Sequence, residues 1–404
     1  MTPAPLERER RAVGVRLSAL FAAIFFVTGS SLPYLPVWLA WRDLSAPEIA
    51  IISAGPLFVR VLVTPAIAFA ADRVGDHRRF LILLAWSAVA AQVLLAQMRG
   101  FLAILLASLL LAVAWTSIMP LAEAIAVRGM NAVRLDYGRM RLWGSISFTA
   151  AALAGGWVLE WTSPQALFYL LIAGSIVLAG AAHALGKSSL PGPAAPRQQM
   201  ARLSARAVAA LLASPTFLLF LLAAGAIQAA HAAFYTFGTL HWRALGLSTL
   251  VAGQLWTVGV AAEILIFAYS AALLGRLGPI SVLQLAGLAA VARWLAMAFD
   301  PAVWLLFALQ ALHGLTFGAA HVGAIHFLAR FVPEAQGGTA QAVYASFTSG
   351  ILLGGATLLA GPLYADWGGR AYLAMAALAA VGVLAALGLE RLPQTAARGR
   401  GWTF

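Results

Sequence analysis

Long apolar segments alternate with short polar ones along almost the whole chain. Each apolar segment has about 20 residues or more, the length that an α-helix needs to cross the hydrocarbon core of a bilayer. The pattern predicts twelve transmembrane helices at approximately 16–41, 47–71, 79–98, 101–127, 140–160, 165–185, 214–240, 248–273, 279–299, 302–330, 338–364 and 370–390. We therefore expect an all-α integral membrane protein.

The longest polar interruption divides the chain into two halves of six predicted helices each. Residues 186–213 contain three prolines and four lysine or arginine residues. Proline, glycine and serine are concentrated in this way in long loops and linkers. We therefore predict an N-terminal six-helix bundle at 1–185, a cytoplasmic linker at 186–213 and a C-terminal six-helix bundle at 214–404.

The two halves also resemble each other weakly in sequence. The octapeptide AGGWVLEW at 154–161 is similar to AGPLYADW at 360–367, which lies 206 residues further on. In the same way, Arg73-Val-Gly75 after the second predicted helix is similar to Arg276-Leu-Gly278 after the eighth. Parallel repeats of this kind are typical of major facilitator transporters, so we expect two six-helix pseudo-repeats in that fold.

Composition supports a membrane protein and excludes several other classes. The chain is 62% hydrophobic and 10% charged, with a mean hydropathy of +0.88, so its charged residues are too few to cover a soluble protein of this size. It has no cysteine, which excludes disulfides and cysteine metal sites. The net charge of +12 comes from arginines in the loops, so we predict no nucleic-acid partner.

The positions of the basic residues predict the orientation in the membrane. With the N-terminus inside, 20 of the 26 lysine and arginine residues fall on the cytoplasmic side and four fall outside. Two others, Arg60 and Arg293, lie inside apolar segments. The positive-inside rule therefore predicts a multi-pass protein of the cell inner membrane with both termini in the cytoplasm. The first apolar segment, at 15–41, is too long for a signal peptide, so we expect it to be retained.

The short loop between predicted helices two and three carries a recognisable motif. Its sequence, ADRVGDHRR at 71–79, resembles the DRxGxRR signature of the major facilitator superfamily, although Ala68 replaces that signature's leading glycine. The resemblance implies a conformational switch loop at the cytoplasmic face that contains Asp72, Arg73, Gly75 and Arg79. The alternative is an ordinary basic loop that follows the positive-inside rule.

Four stretches resemble one branch of this superfamily, the 3-phenylpropionate permease family, which is close to the oligosaccharide and nucleoside proton symporters. They are 135–148, 228–235, 255–270 and 310–321. The resemblance is specific for the branch and not for the substrate. It implies transport of a small organic solute coupled to protons by alternating access.

The spacing of several polar residues is also similar to that of lactose permease. Glu123, Arg141 and Phe148 match its sugar-binding residues, and Arg293, His313 and Glu263 match polar residues of its C-terminal half. The resemblance implies substrate binding by the first set and proton coupling by the second. Thr316, however, occupies the position of that family's protonatable glutamate on helix ten. The proton route must therefore differ from that of lactose permease.

Spacing along the predicted helices places four polar residues at one depth near the bilayer midplane. At 1.5 Å per residue, His231, Glu263, Arg293 and His313 lie at similar distances from the turns that flank them. A charge at this depth costs roughly 2.5–3.5 kcal/mol on insertion scales, so such residues need partners or a cavity. We predict that His231 binds substrate and that the other three act in proton coupling, with Arg293 as the nearest partner of Glu263.

For this cluster, the alternative is a permanent structural pair of Glu263 and Arg293 with packing histidines. His321 is placed with the proton-coupling set because it also faces a cavity by its helical angle from His313. The role of Arg60 stays open between binding an anionic substrate and extending to the membrane interface.

The leading hypothesis is therefore a monomeric proton-coupled symporter that works in the lipid bilayer on a small-molecule substrate. No phosphate-binding loop of the GxxxxGK[ST] type and no HExxH motif is present, so neither ATP-driven transport nor a metal-dependent membrane enzyme is favoured. We predict no catalytic residue, cofactor or metal. A channel or a receptor is a further alternative. An aromatic carboxylate is the favoured substrate, with a sugar or nucleoside, or export instead of uptake, as alternatives.

Overall fold

A computed structural model of the chain describes residues 5–133, 137–185, 205–333 and 336–392, and all of the secondary structure in these ranges is helical. In the N-terminal half the helices are α1 (Pro5–Trp41), α2 (Ala46–Val74), α3 (His77–Gln97), α4 (Phe101–Trp115), α5 (Ile118–Val133), α6 (Tyr137–Trp161) and, after the short 3₁₀ turn Pro164–Ala166, α7 (Leu167–Ala184).

The C-terminal half continues with α8 (Ala205–Leu212), α9 (Pro215–Ala229), α10 (Ala232–Ala244), α11 (Thr249–Ala268), α12 (Ser270–Met297), α13 (Val303–Ala311), a π-helix (Gly314–Ala319), α14 (Ala320–Phe331), α15 (Gly337–Ser346), a second π-helix (Phe347–Leu352), α16 (Leu353–Trp367), a 3₁₀ turn (Gly368–Ala371) and α17 (Tyr372–Arg391).

The helices confirm the predicted fold class. Among the described residues, eleven helical stretches are long and apolar enough to cross a membrane. The last stretch, Gly337–Arg391, has 55 residues and includes the turn before α17, so it corresponds to the last two of the twelve predicted helices. The linker predicted at 186–213 is partly helical, because α8 occupies 205–212, while 186–204 lie outside the described residues.

Several predicted helices are interrupted, which corrects their continuous sequence-based ranges. The helix predicted at 101–127 divides into α4 and α5 at Thr116 and Ser117. Pro120 explains this break, since a proline has no N–H and its ring clashes with the carbonyl four residues earlier. The inner turn after predicted helix eight is instead a sharp kink within α12 at Gly278, whose φ of 74° favours glycine.

The chain forms two compact units, one of Met1–Ala195 with Tyr235–Thr257 and the other of Pro196–Phe234 with Val258–Phe404. In the first unit, α1 packs closely on α6, and Gly29 permits this because a Cβ there would lie 2.5 Å from the backbone oxygen of Phe148. In the second unit, the stacked rings of Phe220 and Phe327, 4.4 Å apart, lie in an aromatic core with Tyr344. The predicted division at 186–213 stays a prediction.

Candidate functional site

A cluster of polar side chains is buried in the second unit where two of its membrane-spanning segments are interrupted. His231 lies between α9 and α10, and His313 lies between α13 and the π-helix Gly314–Ala319. An interrupted helix leaves backbone carbonyls without their usual partners, and π-helical segments occur frequently at functional sites. The two histidines are therefore placed at the positions where the backbone departs from a regular helix.

Arg293 lies at the centre of this cluster and is completely buried. Its Nη2 donates to Oε1 of Gln310 at 2.7 Å, and its Nη1 donates to Oγ1 of Thr316 at 3.0 Å and contacts Nδ1 of His313 at 3.2 Å. The guanidinium also lies over the rings of Phe234 and Trp294, at 4.9 and 4.5 Å from their centroids. A buried charge is tolerated only when its donors find acceptors, and these neutral groups provide them.

The hydrogen bonds of His231 define its neutral tautomer. Nδ1 lies 3.2 Å from the carbonyl oxygen of Ile227 and 3.1 Å from that of Gln228. A carbonyl can only accept, so Nδ1 carries the proton and Nε2 of the neutral ring is an acceptor. Nε2 lies 3.0 Å from Oγ1 of Thr316, which therefore donates to His231 while it accepts from Arg293. Thr316 thus connects the arginine to the histidine.

His313 has the opposite tautomer. A guanidinium can only donate, so Nδ1 of His313 accepts from Arg293 and Nε2 carries the proton. Nε2 lies 3.9 Å from Oε2 of Glu263, which is within ion-pair distance but too long for a hydrogen bond. Sequence spacing points to Arg293 as the nearest partner of Glu263, whereas the structure gives Glu263 a contact with His313. The imidazole of His313 therefore has Arg293 on one nitrogen and Glu263 on the other.

The other predicted member of this set, His321, lies at one end of a row of rings. The ring of Phe317 is parallel to that of His313 at 5.2 Å and to that of His321 at 6.4 Å. His321 is exposed, while His313 is buried. The structure thus brings Glu263, Arg293 and His313 together with His231, and it joins His321 to them through Phe317.

Sequence reasoning missed Gln310 as a member of the cluster and assigned Thr316 no part in it. A signal for both was present, because residues 310, 313 and 316 are polar and three positions apart in an apolar segment. Side chains at this spacing lie on one face of a helix. Both residues bind Arg293, so the substitution of threonine for a glutamate at 316 leaves a neutral hydrogen-bonding group in the network.

The first unit holds a second polar group around Glu123. Its Oε1 accepts from the hydroxyl of Tyr137 at 3.4 Å, and the positive charges of Arg141 and Arg60 both act on it. The Arg141 guanidinium lies 3.8 Å from the ring centroid of Phe25, a cation–π contact. The structure thus places the predicted residues Glu123 and Arg141 close in space and adds Arg60 to them.

Phe148, the third residue predicted to bind substrate in this half, is only 6% exposed. It lies on α6 two turns beyond Arg141, and its backbone packs against Gly29 of α1. A ring that is covered in this way can contact a substrate only if its neighbours move. Its predicted stacking role therefore requires a local rearrangement.

The switch loop closes α2 and begins α3. Gly75 ends α2 with a φ of 76°, and the side chain of Asp76 accepts from the backbone N–H of Arg79 at 2.9 Å. Arg73 and Arg79 are both exposed.

Asp72 of this loop takes part in a small charged cluster. Its Oδ1 lies 2.8 Å from Nε2 of His77 and 3.6 Å from Nη2 of Arg128, near the end of the segment that contains α5. Arg128 also lies 3.0 Å from Nε2 of His77. Sequence reasoning missed this role of His77. In the described part of the chain, no group of three or more histidine, cysteine, aspartate or glutamate residues is arranged to hold a metal ion.

Comparisons with known proteins agree with this architecture. Residues 15–374 match the MFS_1 like family. The chain is 31% identical to a maltose permease of Geobacillus stearothermophilus, over 92% of this chain and 93% of that protein. It is 30% identical to a probable 3-phenylpropionic acid transporter of Escherichia coli strain K12, over 88% of this chain and 92% of that protein.

Solved structures share the fold at lower identity. The nucleoside transporter NupG superposes with a TM-score of 0.79 at 17% identity, over 94% of this chain and all of that one. A bacterial homologue of the human lysosomal transporter Spinster gives a TM-score of 0.71 at 14% identity, over 96% of this chain and 98% of that one. The chain therefore belongs to the MFS_1 like family of major facilitator transporters, and it is a membrane transporter of small solutes and not an enzyme.

Proposed function

We propose that this protein is a proton-coupled symporter that carries a small organic solute across the cell inner membrane by alternating access, acting as a monomer. The observation that supports the proposal most strongly is the cluster in the second unit. There, a completely buried arginine and a carboxylate contact the two nitrogens of one imidazole, that of His313. Ionisable groups inside the membrane are costly and usually mark ion or substrate pathways.

The two contacts of His313 suggest how a proton changes the protein. A second proton on the imidazole would have to occupy Nδ1, which already accepts from Arg293. The ring would therefore lose its bond to the arginine and gain a full charge facing Glu263. A proton on Glu263 would instead remove the negative charge that the His313 N–H faces. Either event changes the interactions between α11, α12 and the segment after α13, and a conformational equilibrium shifts only through such differences.

The substrate that we favour is an aromatic carboxylate, such as a phenylpropionate-like acid, bound by Glu123, Arg141 and Phe148, with His231 on the second unit. The relative named as a probable 3-phenylpropionic acid transporter supports this choice. The relative named as a maltose permease supports a sugar as the alternative. A nucleoside or an exported compound is a further alternative, which the same residues would bind through hydroxyl groups.

The proposal is tested in two steps with purified protein. A thermal-shift screen of 3-phenylpropionate, maltose and uridine first identifies which class of compound binds. Counterflow of that compound in proteoliposomes then tests exchange by alternating access, because a channel or a receptor cannot exchange solute against its own gradient. We expect stabilisation by one class and counterflow of its members. Stabilisation without counterflow would contradict the transport function.

Arg141→Lys is expected to weaken substrate binding by roughly tenfold or more, although the charge is kept. The guanidinium is planar and offers a fork of donors, and it lies flat on Phe25 at 3.8 Å. An ammonium group can provide neither the fork nor the same stacking. Isothermal titration with the compound selected by the screen measures the loss, and Arg139→Lys, a variant of an exposed arginine on the same helix, is the control. Unchanged affinity in Arg141→Lys would make Arg141 a structural residue.

Both termini and the linker are expected on the cytoplasmic side, because the basic residues are concentrated there. Alkaline phosphatase and green fluorescent protein fusions at Phe404 and within 186–213 report the side, since the first is active only outside and the second fluoresces only inside. We expect fluorescence and no phosphatase activity at both positions. Phosphatase activity at either one would contradict the predicted orientation.

Asp72, Arg73, Gly75 and Arg79 are assigned to conformational switching on the same grounds. The contacts of Asp72 with His77 and Arg128 support this assignment, because they join the loop between α2 and α3 to the end of the following membrane segment. A loop that holds two helices through charged contacts provides an interaction that differs between conformations when the helices move.

A further inference from the structure

Arg60 is the one charged residue of the first unit whose depth in the membrane has no evident structural reason. It lies on α2 (Ala46–Val74), 14 residues from either end of the helix. At 1.5 Å per residue this is about 21 Å from each end, which exceeds half of the ~30 Å hydrocarbon core. An arginine side chain cannot span that distance, so Arg60 does not reach the membrane interface.

The orientation of α2 directs Arg60 toward the protein and not toward lipid. Thr64, one turn further along the helix, donates from its hydroxyl to the carbonyl oxygen of Thr116 at 3.3 Å. Residues four positions apart lie on the same face of a helix, so Arg60 shares the face that meets the segment of α4 and α5. Glu123 lies on α5, and its charge acts on Arg60.

The guanidinium of Arg60 nevertheless keeps exposed surface. Within the described ranges of the chain, no hydrogen bond or ion pair is made to it. Arg293 in the second unit shows what a structural arginine looks like in this protein, since it is completely buried and bound to Gln310 and Thr316. Arg60 has the position of a buried cation and the accessibility of a binding residue.

The charges around Glu123 indicate the class of ligand. Arg60 and Arg141 contribute two positive charges and Glu123 contributes one negative charge, so the group carries one surplus positive charge. A neutral sugar or nucleoside would leave that charge uncompensated inside the membrane, whereas a monocarboxylate would neutralise it. Arginine is also well suited to bind a carboxylate through two parallel hydrogen bonds.

We propose that Arg60 is a specificity-determining residue that binds the carboxylate of an organic anion and makes the group around Glu123 select anions over neutral solutes. The proposal rests on the proposed transport function and adds to it the residue that chooses the substrate class. Arg141 and Glu123 alone are charge-balanced and would accept a neutral, hydroxyl-rich ligand equally well. Arg60 supplies the difference.

The test compares two ligands of the same shape, 3-phenylpropionate and its neutral amide, 3-phenylpropanamide. Their affinities are measured with purified protein in detergent for the wild type, Arg60→Gln, Arg60→Lys and the control Arg99→Gln, an exposed arginine in the turn between α3 and α4. We expect the wild type and Arg99→Gln to prefer the acid. Arg60→Gln should lose that preference by roughly 10- to 100-fold, and Arg60→Lys should keep a part of it.

Three outcomes would overturn the proposal. Wild-type preference for the acid in Arg60→Gln would show that Arg60 does not bind the carboxylate. An unchanged preference with a lower melting temperature of the unliganded variant would make Arg60 a structural partner of Glu123. Binding of maltose or uridine by the wild type with none of the acid would show that the surplus charge does not select anions. Selective binding of the acid without counterflow would instead contradict the transport function and leave charge selection by Arg60 supported.

Discussion

Glu263→Gln is expected to abolish accumulation of substrate against its gradient while leaving exchange across the membrane intact. Glutamine has the size of a protonated glutamate and cannot release a proton, so the variant is fixed in the state that the carboxyl adopts when it is protonated. The contact of Oε2 with the Nε2–H of His313, at 3.9 Å, then no longer changes during the cycle. Without that change a proton gradient has no means of biasing the conformational equilibrium.

Proteoliposomes with an imposed pH gradient measure this effect. The wild type should accumulate the labelled compound several-fold over its equilibrium level, and Glu263→Gln should only reach equilibrium. The matched control is Glu390→Gln, since Glu390 is an exposed glutamate that accepts from Gln284 at 3.0 Å at the end of α17. Uphill accumulation by Glu263→Gln would place the coupling site elsewhere, with His313 and then His321 as the next residues to substitute.

Arg293→Lys is expected to reduce the transport rate by roughly 10- to 100-fold although the positive charge is kept. One guanidinium holds three groups, because Nη2 binds Gln310 while Nη1 binds Thr316 and contacts His313. A lysine nitrogen is a single point and cannot occupy both positions. At least one buried acceptor is then left without a donor, which costs about 1–3 kcal/mol, or roughly 5- to 150-fold in an equilibrium.

Counterflow rates and the melting temperature of the unliganded protein separate the possible causes. Arg276→Lys, at an exposed position in α12, makes the same chemical change outside the cluster and should behave as the wild type. A wild-type rate in Arg293→Lys would mean that the charge alone is sufficient and that the fork of donors is not used. Loss of rate with a strongly lowered melting temperature would support a structural role of Arg293 over a role in coupling.

The number and order of the membrane helices follow from the hydrophobic pattern, because the thickness of the bilayer fixes the length of each apolar segment. The interruptions within the helices were not predicted. Pro120 gave a signal that a helix would break near Thr116. His231 and His313 gave none, because their segments are apolar on both sides and the freed carbonyls of Ile227 and Gln228 are satisfied only by a side chain folded back on them.

For the candidate site, spacing along the chain gave depth but not direction. The rise of 1.5 Å per residue was sufficient to place His231, Glu263, Arg293 and His313 at one level. It could not show which way each helix is rotated, so Arg293 was expected next to Glu263, whereas the structure shows His313 in contact with both of them. The acidic group that acts on Arg60 was missed for the same reason, since α2 and α5 are far apart in sequence and their mutual rotation decides the contact.

The most direct test of proton-coupled transport is the pH inside proteoliposomes during substrate entry. Vesicles containing a pH-sensitive dye are held at equal pH on both sides and at zero membrane potential, and the compound that binds, whether 3-phenylpropionate, maltose or uridine, is added outside. We predict that the lumen acidifies faster than in protein-free vesicles and that Glu263→Gln removes this excess. Counterflow of the same compound with a lumenal pH identical to that of protein-free vesicles would contradict proton coupling.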